Sequence, residues 1–190
     1  MALLHGDAEI TPSKLDLLRG WLPTQDWFDG DAARLEQVAA YRFDDPAGEV
    51  GIETFLLADG DRVLHVPVTY RAAPLPDGEE WLVGTMEHTV LGARWVYDAL
   101  GDPVYRDVLT TTILTGGSEA ALEREADGVR TTVEPSARVH GSGSADAEIV
   151  PVEVEVRHEL DEAPHDGDLV LVGSWPGVTE PVVLAVARRI

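Results

Sequence analysis

The sequence predicts an α+β fold, with a largely antiparallel sheet of about eight strands and two main helices. Two observations lead to this prediction. Two short segments combine helix-capping residues with apolar residues at helical spacing, and much of the remaining chain alternates apolar and polar residues as strands do. The chain has 190 residues, of which 44% are hydrophobic, so it can bury a core of its own.

The first helix is predicted over residues 11–22, TPSKLDLLRGWL. Thr11 is expected to be its N-cap, and Pro12 suits the first helical position, where a backbone N–H has no partner within the helix. Pro23 is expected to end the helix. The apolar residues recur at helical spacing on one face, which should pack on the core: Leu15, Leu17, Leu18, Trp21 and Leu22.

Strands are predicted through the middle of the chain, over residues 34–43, 49–58, 63–72, 79–92 and 94–100. DDPAG (44–48) is a turn between the first two segments. The pair Asp59-Gly60, between two apolar alternating runs, predicts a tight β-hairpin.

The second helix is predicted over residues 102–117, with Asp102 as N-cap, Pro103 at the first position and Gly116-Gly117 at the end. Beyond it, residues 129–141 read as a strand interrupted at Pro135, and GSGSADA (141–147) as a flexible loop. Residues 148–160 alternate with period two, and two short apolar segments, 169–173 and 181–187, complete the predicted strands.

Charge and cysteine content exclude several classes of function. The net charge is −21, because 35 acidic residues oppose 14 basic ones. Nucleic acids and anionic membranes need a basic footprint, so neither is an expected partner. The chain has no cysteine, which excludes disulfides and thiolate zinc sites. The first ten residues have no basic segment and no long apolar run, so we expect no signal peptide and a cytoplasmic protein.

No constellation of residues predicts catalysis. GSGS (141–144) lacks the strand-to-helix context of a nucleophile elbow. The densest group of potential metal ligands has neither zinc nor EF-hand spacing and is interpreted as a solvated turn: His158, Glu159, Asp161, Glu162, His165 and Asp166. We therefore expect no enzyme activity, no cofactor and no metal. The tryptophans at 21, 27, 81, 95 and 175 are interpreted as core, with sugar stacking as the alternative for an exposed one.

Three motifs, in order, resemble the N-terminal cap domain of bacterial maltokinases and related sugar kinases. WLPTQDWF (21–28) is similar to the family's WLP-x-Q-R-W segment, with Asp26 in place of the arginine, so a salt bridge made by that arginine is not expected here. HVPVTYRAAPL (65–75) resembles its VPL-x-YR strand. GTMEHTVLGARWVYDALGDPVY (84–105) resembles the segment that closes the cap in free-standing cap-like proteins. The resemblance covers roughly residues 8–118.

The resemblance implies a small α+β cap-like domain over residues 1–118. Residues 119–190, here named the C-terminal extension, are expected to be β-rich and to pack on the same sheet. In the kinases the cap precedes two further lobes that bind nucleotide and catalyse phosphoryl transfer. Phosphoryl transfer needs a lysine, a glycine-rich phosphate loop followed by a lysine, and a catalytic Asp/Asn pair. The extension has none of these. Some free-standing relatives are labelled 1,4-α-glucan branching proteins, but that reaction uses paired acids in a much larger barrel.

Two functions remain as hypotheses. In the first, the chain is a non-catalytic cap-like module that docks on or regulates a partner enzyme of α-glucan, trehalose or amino-sugar metabolism, either a sugar kinase or a glucan enzyme. In the second, it binds a small molecule, a carbohydrate, in a pocket on the sheet. The residues expected to contact the ligand or the partner are Tyr70, Arg71, His88, Arg94 and Trp95.

Overall fold

The computed structural model describes residues 2–5, 8–126, 129–160 and 168–190. Within them are two α-helices, α1 (Lys14–Trp21) and α2 (Pro103–Thr115), and short 3₁₀ turns at Leu22–Thr24, Ala32–Arg34, Glu79–Trp81 and Ala99–Gly101. The strands are β1 (Ala2–His5), β2 (Ile10–Thr11), β3 (Glu36–Phe43), β4 (Gly51–Asp59), β5 (Arg62–Arg71), β6 (Leu82–His88), β7 (Gly92–Asp98), β8 (Leu122–Ala126), β9 (Val129–Val133), β10 (Arg138–Gly141), β11 (Val152–Val156), β12 (Leu169–Ser174) and β13 (Val182–Arg189).

The α+β class is confirmed, but the prediction of one sheet of about eight strands is wrong. The described strands form three sheets, in the orders β2-β6-β7-β5-β4-β3, β10-β12-β13-β11 and β1-β8-β9. Pairing is antiparallel except between β1 and β8, which run parallel. Alternation along a segment predicts a strand but carries no information about its neighbour, so the number of sheets was not predictable from it.

Helix α1 begins two residues later than predicted. Its N-cap is Ser13, whose hydroxyl accepts the N–H of Asp16 at 3.2 Å. Thr11 is instead the last residue of β2, where it pairs with Glu87. Ser, like Thr, offers an oxygen suited to this position, and the pairing of β2 with β6 decides between them. The predicted apolar face is correct: Leu18 and Trp21 are buried, and so is Leu22 just beyond.

The hairpin and the second helix have the predicted form. Strands β4 and β5 close at the pair Asp59 and Arg62, and Gly60 has a φ of 64°, as the first loop position of a type II′ turn requires. Asp102 caps α2, Pro103 is its first residue, and Gly116 ends it with a φ of 68°.

The GSGS segment, predicted to be a flexible loop, is held against the end of α2. The backbone N–H groups of Gly143 and Ser144 donate to the carbonyls of Ile113 and Leu114 at 2.9 and 3.0 Å. These are carbonyls of the last helical turn, which have no partner inside the helix. The loop therefore completes the C-terminal cap, and its glycines allow the close approach.

The six-stranded sheet is covered on both faces. Helix α1 packs on one face, over Phe55, Val66 and Met86. Helix α2 and the four-stranded sheet pack on the other, over Tyr41, Ile52 and their neighbours. Residues 52–57 of β4 are consequently buried in succession, because alternate side chains enter the two cores. None of the five tryptophans is exposed; Trp21 and Trp175 are buried and the other three half-buried.

No helix in the described part of the chain has the length and apolar character needed to cross a membrane.

Candidate functional site

Tyr70 takes part in a buried charge cluster between α1 and the sheet. Its hydroxyl donates to Glu53 at 2.9 Å, and the same carboxylate accepts from Lys14 at 2.6 Å and Arg42 at 3.0 Å. Burial by itself raises the pKa of Glu53, but the charges of Arg42 and Lys14 and the hydrogen bonds outweigh it and lower that pKa to about 2. Burial lowers the pKa of Lys14, and attraction to Glu53 only partly opposes it. Tyr70 thus stabilises an internal anion.

Arg71 is bound to the N-cap of α2. Its Nε and Nη2 each donate to one carboxylate oxygen of Asp102, both at 2.7 Å, and Thr69 donates to the same carboxylate at 2.8 Å. Asp102 is fully buried, and burial raises its pKa, but the bonds from Arg71, Thr69 and the Val104 N–H outweigh that and lower it. The bidentate pair joins β5 to the start of α2.

Arg94 and Trp95 are adjacent on β7 and therefore point to opposite faces of the sheet. Arg94 is half-buried and donates to the carbonyl of Ala93 at 2.8 Å. Trp95 is half-buried and pairs with Arg71 across β5 and β7, whereas Tyr70 pairs with Val96. The predicted contact residues are thus divided between the two faces, with Tyr70 and Arg94 on one and Arg71 and Trp95 on the other. The geometry does not assemble them around one ligand.

His88 stabilises the tip of the β6–β7 hairpin. Its Nδ1 accepts the backbone N–H groups of Val90 and Leu91 at 3.2 and 3.1 Å. The side chains of Val90 and Leu91 are 58% and 43% exposed, although hairpin turns usually carry polar residues. Two hydrogen bonds join Thr89 to Glu9. The backbone N–H of Thr89 donates to the carbonyl of Glu9 at 3.1 Å, and the backbone N–H of Glu9 donates to the Thr89 hydroxyl at 3.0 Å. The tip, residues 88–92, is thus an ordered turn that presents two aliphatic side chains.

A cavity of about 430 Å³ lies between the 44–48 turn and α2. Partial burial raises the pKa of Asp45, but the backbone N–H groups of Ala47, Val50 and Glu49 outweigh it and lower the pKa, so this carboxylate stays ionised. The wall combines acidic and aliphatic groups and includes none of the predicted contact residues: Asp44, Asp45, Pro46, Ala47, Val104, Asp107, Val108, Thr111 and Thr112.

A buried histidine network joins the six-stranded sheet to the C-terminal extension. The imidazole of His65 is fully buried; its Nδ1 donates to the carbonyl of Arg157 at 2.8 Å, so its Nε2 accepts from Tyr41 at 2.7 Å. Burial lowers the pKa of His65 to about 3, so the ring is neutral near pH 7. The backbone N–H of His65 donates to the carbonyl of His158 at 2.9 Å. The only sequence signal was a histidine within an apolar strand.

The aromatic residues of WLPTQDWF complete this junction. Trp27 contacts Trp21 and Phe28 edge to face, with ring centroids 6.4 and 6.3 Å apart. Trp27 also stacks on His158. The interpretation of this motif as core is therefore correct for Trp21. For Trp27 the structure adds a contact with a residue more than a hundred positions away, which sequence reasoning missed.

The group of potential metal ligands near His158 is only partly described. Asp161, Glu162, His165 and Asp166 lie outside the described residues. Over the ranges that are described, no group of three or more histidine, aspartate or glutamate side chains is arranged to hold a metal ion.

A comparison with protein families finds a match to the central part of the chain. Residues 21–102 match the family model of the maltokinase N-terminal cap domain. The match begins in WLPTQDWF, contains β3 to β7 and ends at the N-cap of α2. The resemblance carried by the sequence motifs is therefore confirmed over these residues. A comparison with curated proteins finds no match.

Proposed function

We propose that this chain, whose residues 21–102 form a maltokinase cap-like domain, is a non-catalytic module that docks on a partner enzyme and regulates it. The family match is the observation that carries the proposal. The partner class is an enzyme of α-glucan, trehalose or amino-sugar metabolism, with a sugar kinase as the first candidate because the cap domains of this family accompany kinase lobes.

The placement of the ionisable groups supports a non-catalytic role. Glu53, Asp102 and His65 are all buried, and each is bound to partners within the fold. Such groups stabilise the structure and do not face a substrate. Lys14 is the one lysine in the sequence and it pairs with Glu53, so it is not placed as a phosphate ligand.

The charge supports a basic surface on the partner. A net charge of −21 raises the association rate with a positively charged protein and opposes self-association. The absence of cysteine fits the proposed setting in the cytoplasm, where the partner enzymes would be found.

The proposal is tested by mixing the purified chain with purified sugar kinases and glucan enzymes from the same genome. Isothermal titration calorimetry measures the Kd, and kinase assays with and without the chain measure any change in kcat or KM. We expect one enzyme to bind with a Kd in the micromolar range or tighter, and binding to weaken as salt is raised. No binding to any of these enzymes at about a hundred times that concentration would contradict the proposal.

A second candidate function, binding of a small molecule, is favoured by the cavity beside α2. The ionised carboxylate of Asp45 and the acidic side chain of Asp107 could accept hydrogen bonds from sugar hydroxyls or an ammonium group, while Val104 and Val108 supply apolar contact. This chemistry suits an amino sugar better than a neutral or anionic one, because the wall contributes no cation.

Thermal denaturation with glucosamine, glucose, maltose and trehalose tests this second function. A ligand at about a hundred times its Kd adds roughly 2.7 kcal/mol of stability, which raises Tm by several degrees. We expect the largest shift with glucosamine, and we expect Asp107→Asn to reduce it. Asp146→Asn, at an exposed position away from the cavity, is the control. Equal midpoints with and without every sugar would exclude the function.

A further inference from the structure

The faces of the cap-like domain's sheet are already occupied. Helix α1 and the 3₁₀ turn after it cover one face through Leu18, Trp21 and Leu22. The opposite face is covered by α2 and by residues of the C-terminal extension, among them Leu171 and Leu184, which are fully buried. Within the described residues, both faces of this six-stranded sheet are thus covered, and neither is left open to a partner.

The C-terminal extension also bonds to the outer edge of β3 and to the part of β5 that β7 leaves unpaired. Along β3, Ala120 donates to the carbonyl of Arg42 at 2.8 Å and Ala137 to that of Ala40 at 3.2 Å. Strand β7 pairs with β5 only from Val68 onward, and the earlier residues of β5 bond to residues 158–159 of the extension. Among the described residues, the extension thus closes these two edges.

On the six-stranded sheet, as far as the structure describes it, this leaves the end formed by β2 and the β6–β7 hairpin. The tip at residues 88–92 projects there, and its backbone is held by His88 and by the bonds between Thr89 and Glu9. Since this order exists in the free chain, binding through the tip costs little conformational entropy. Val90 and Leu91 are exposed on it, and the exposed acids Glu9 and Glu87 flank it.

We infer that the tip of the β6–β7 hairpin is the anchor by which the cap-like domain binds its partner enzyme. The partner presents an apolar pocket that receives Val90 and Leu91, bordered by arginine or lysine side chains that face Glu9 and Glu87. The inference rests on the proposed function. Charge complementarity favours a basic partner over a second copy of this chain. Because the net charge is −21, a second copy would place acidic side chains against acidic side chains at this site.

The size of the tip limits what it contributes. A stable interface buries about 800 Å² on each partner, which two aliphatic side chains do not reach. The tip therefore acts as the anchor of a wider contact along β2 and β6. Anchors held in a fixed conformation contribute disproportionately to affinity.

The test uses the full chain and the partner enzyme identified by calorimetry. The variant Val90→Ser/Leu91→Ser removes the apolar side chains, and Val129→Ser/Ile149→Ser removes two similarly exposed ones, 60% and 62%, from the extension. Circular dichroism and thermal denaturation verify that both variants are folded. We expect the tip variant to raise the Kd at least about tenfold and the control variant to leave it within about twofold.

Charge is tested with Glu9→Gln/Glu87→Gln, which we expect to weaken binding at low salt and to have little effect at high salt. If the wild-type chain binds but the tip variant binds equally well, or the control variant loses as much affinity, the inference is overturned while the proposed function stands. If the wild-type chain binds none of the enzymes, both are overturned.

Discussion

The indole ring of Trp27 lies flat on the imidazole of His158, with ring centroids 4.0 Å apart and planes 2° from parallel. Trp27 belongs to the segment matched by the cap-domain family, and His158 to the C-terminal extension. Arg62 strengthens the same junction, since it bonds to Asp29 at 2.7 Å and to Glu159 at 3.2 Å. The cap-like segment and the extension are therefore joined by stacking, by the ion pair between Arg62 and Glu159 and by the backbone bond of His65 to His158.

A double-mutant cycle measures this stacking. We expect Trp27→Ala and His158→Ala each to lower the free energy of unfolding, and the pair to show a coupling of about 1 kcal/mol, as stacked aromatic rings do. Chemical denaturation of the four proteins gives the coupling. Strictly additive losses would mean that the stack contributes nothing beyond the burial of each ring.

The stability of the protein should depend on pH through His65. The pKa of its imidazole is about 3 in the folded protein, against an ordinary value of 6.5 that applies to the unfolded chain. Between these two pH values the unfolded chain therefore binds more protons than the folded one. Stability due to His65 is therefore fully present above pH 6.5 and is lost as the pH falls toward 3. Within this window we expect a slope of about 1.4 kcal/mol per pH unit.

Urea denaturation at several pH values measures the slope as a difference between wild type and His65→Asn. The difference is needed because burial raises the pKa of Asp98, which contributes a slope of opposite sign, while burial lowers that of His158, which adds to the slope. His140→Asn, at an exposed histidine, is the control. If the free energy of unfolding changed with pH equally in wild type and His65→Asn, the lowered pKa of His65 would be refuted.

Glu53 should be essential to stability and Tyr70 should contribute through it. Glu53→Gln leaves Lys14 and Arg42 partly buried without a counter-charge, and we expect a loss of about 3 kcal/mol. Tyr70→Phe removes one hydrogen bond to a charged group, with an expected loss of about 1.5 kcal/mol. Glu87→Gln, at an exposed glutamate, should change stability by less than about 0.5 kcal/mol. A Tyr70→Phe variant as stable as wild type would show that the bond to Glu53 is not structural.

Substitution by alanine should change the stability of the fold in opposite directions at two glycines. A Cβ on Gly143 would overlap the carbonyl oxygen of Leu114 at the end of α2, so Gly143→Ala should destabilise the fold by about 2 kcal/mol. Gly20 lies inside α1 with no atom within 4 Å of such a Cβ, so Gly20→Ala should stabilise it by roughly 0.5–1 kcal/mol. Thermal denaturation compares the two, and a Gly143→Ala variant with an unchanged midpoint would contradict the capping role of the loop.

Much of the local structure was predictable because its causes are local. Asp102-Pro103 and Gly116 mark the ends of α2, and Asp59-Gly60 marks a hairpin, since caps and tight turns depend on the conformation of a few neighbouring residues. The candidate site was less predictable. Tyr70 and Arg71 were both expected to contact a ligand or partner, but neighbours on a strand point to opposite faces. Tyr70 is hydrogen-bonded to Glu53 and Arg71 to Asp102, both inside the fold.

By itself, then, the sequence determined the α+β class, the two helices, most strands and the resemblance of its central segment to the maltokinase cap domain. Tertiary structure decided that the strands form three sheets, that the GSGS loop caps α2 and that Trp27 meets His158. These outcomes join residues far apart in the chain. Which of them meet depends on how two apolar faces of one sheet are covered, and that is settled only when the whole core packs.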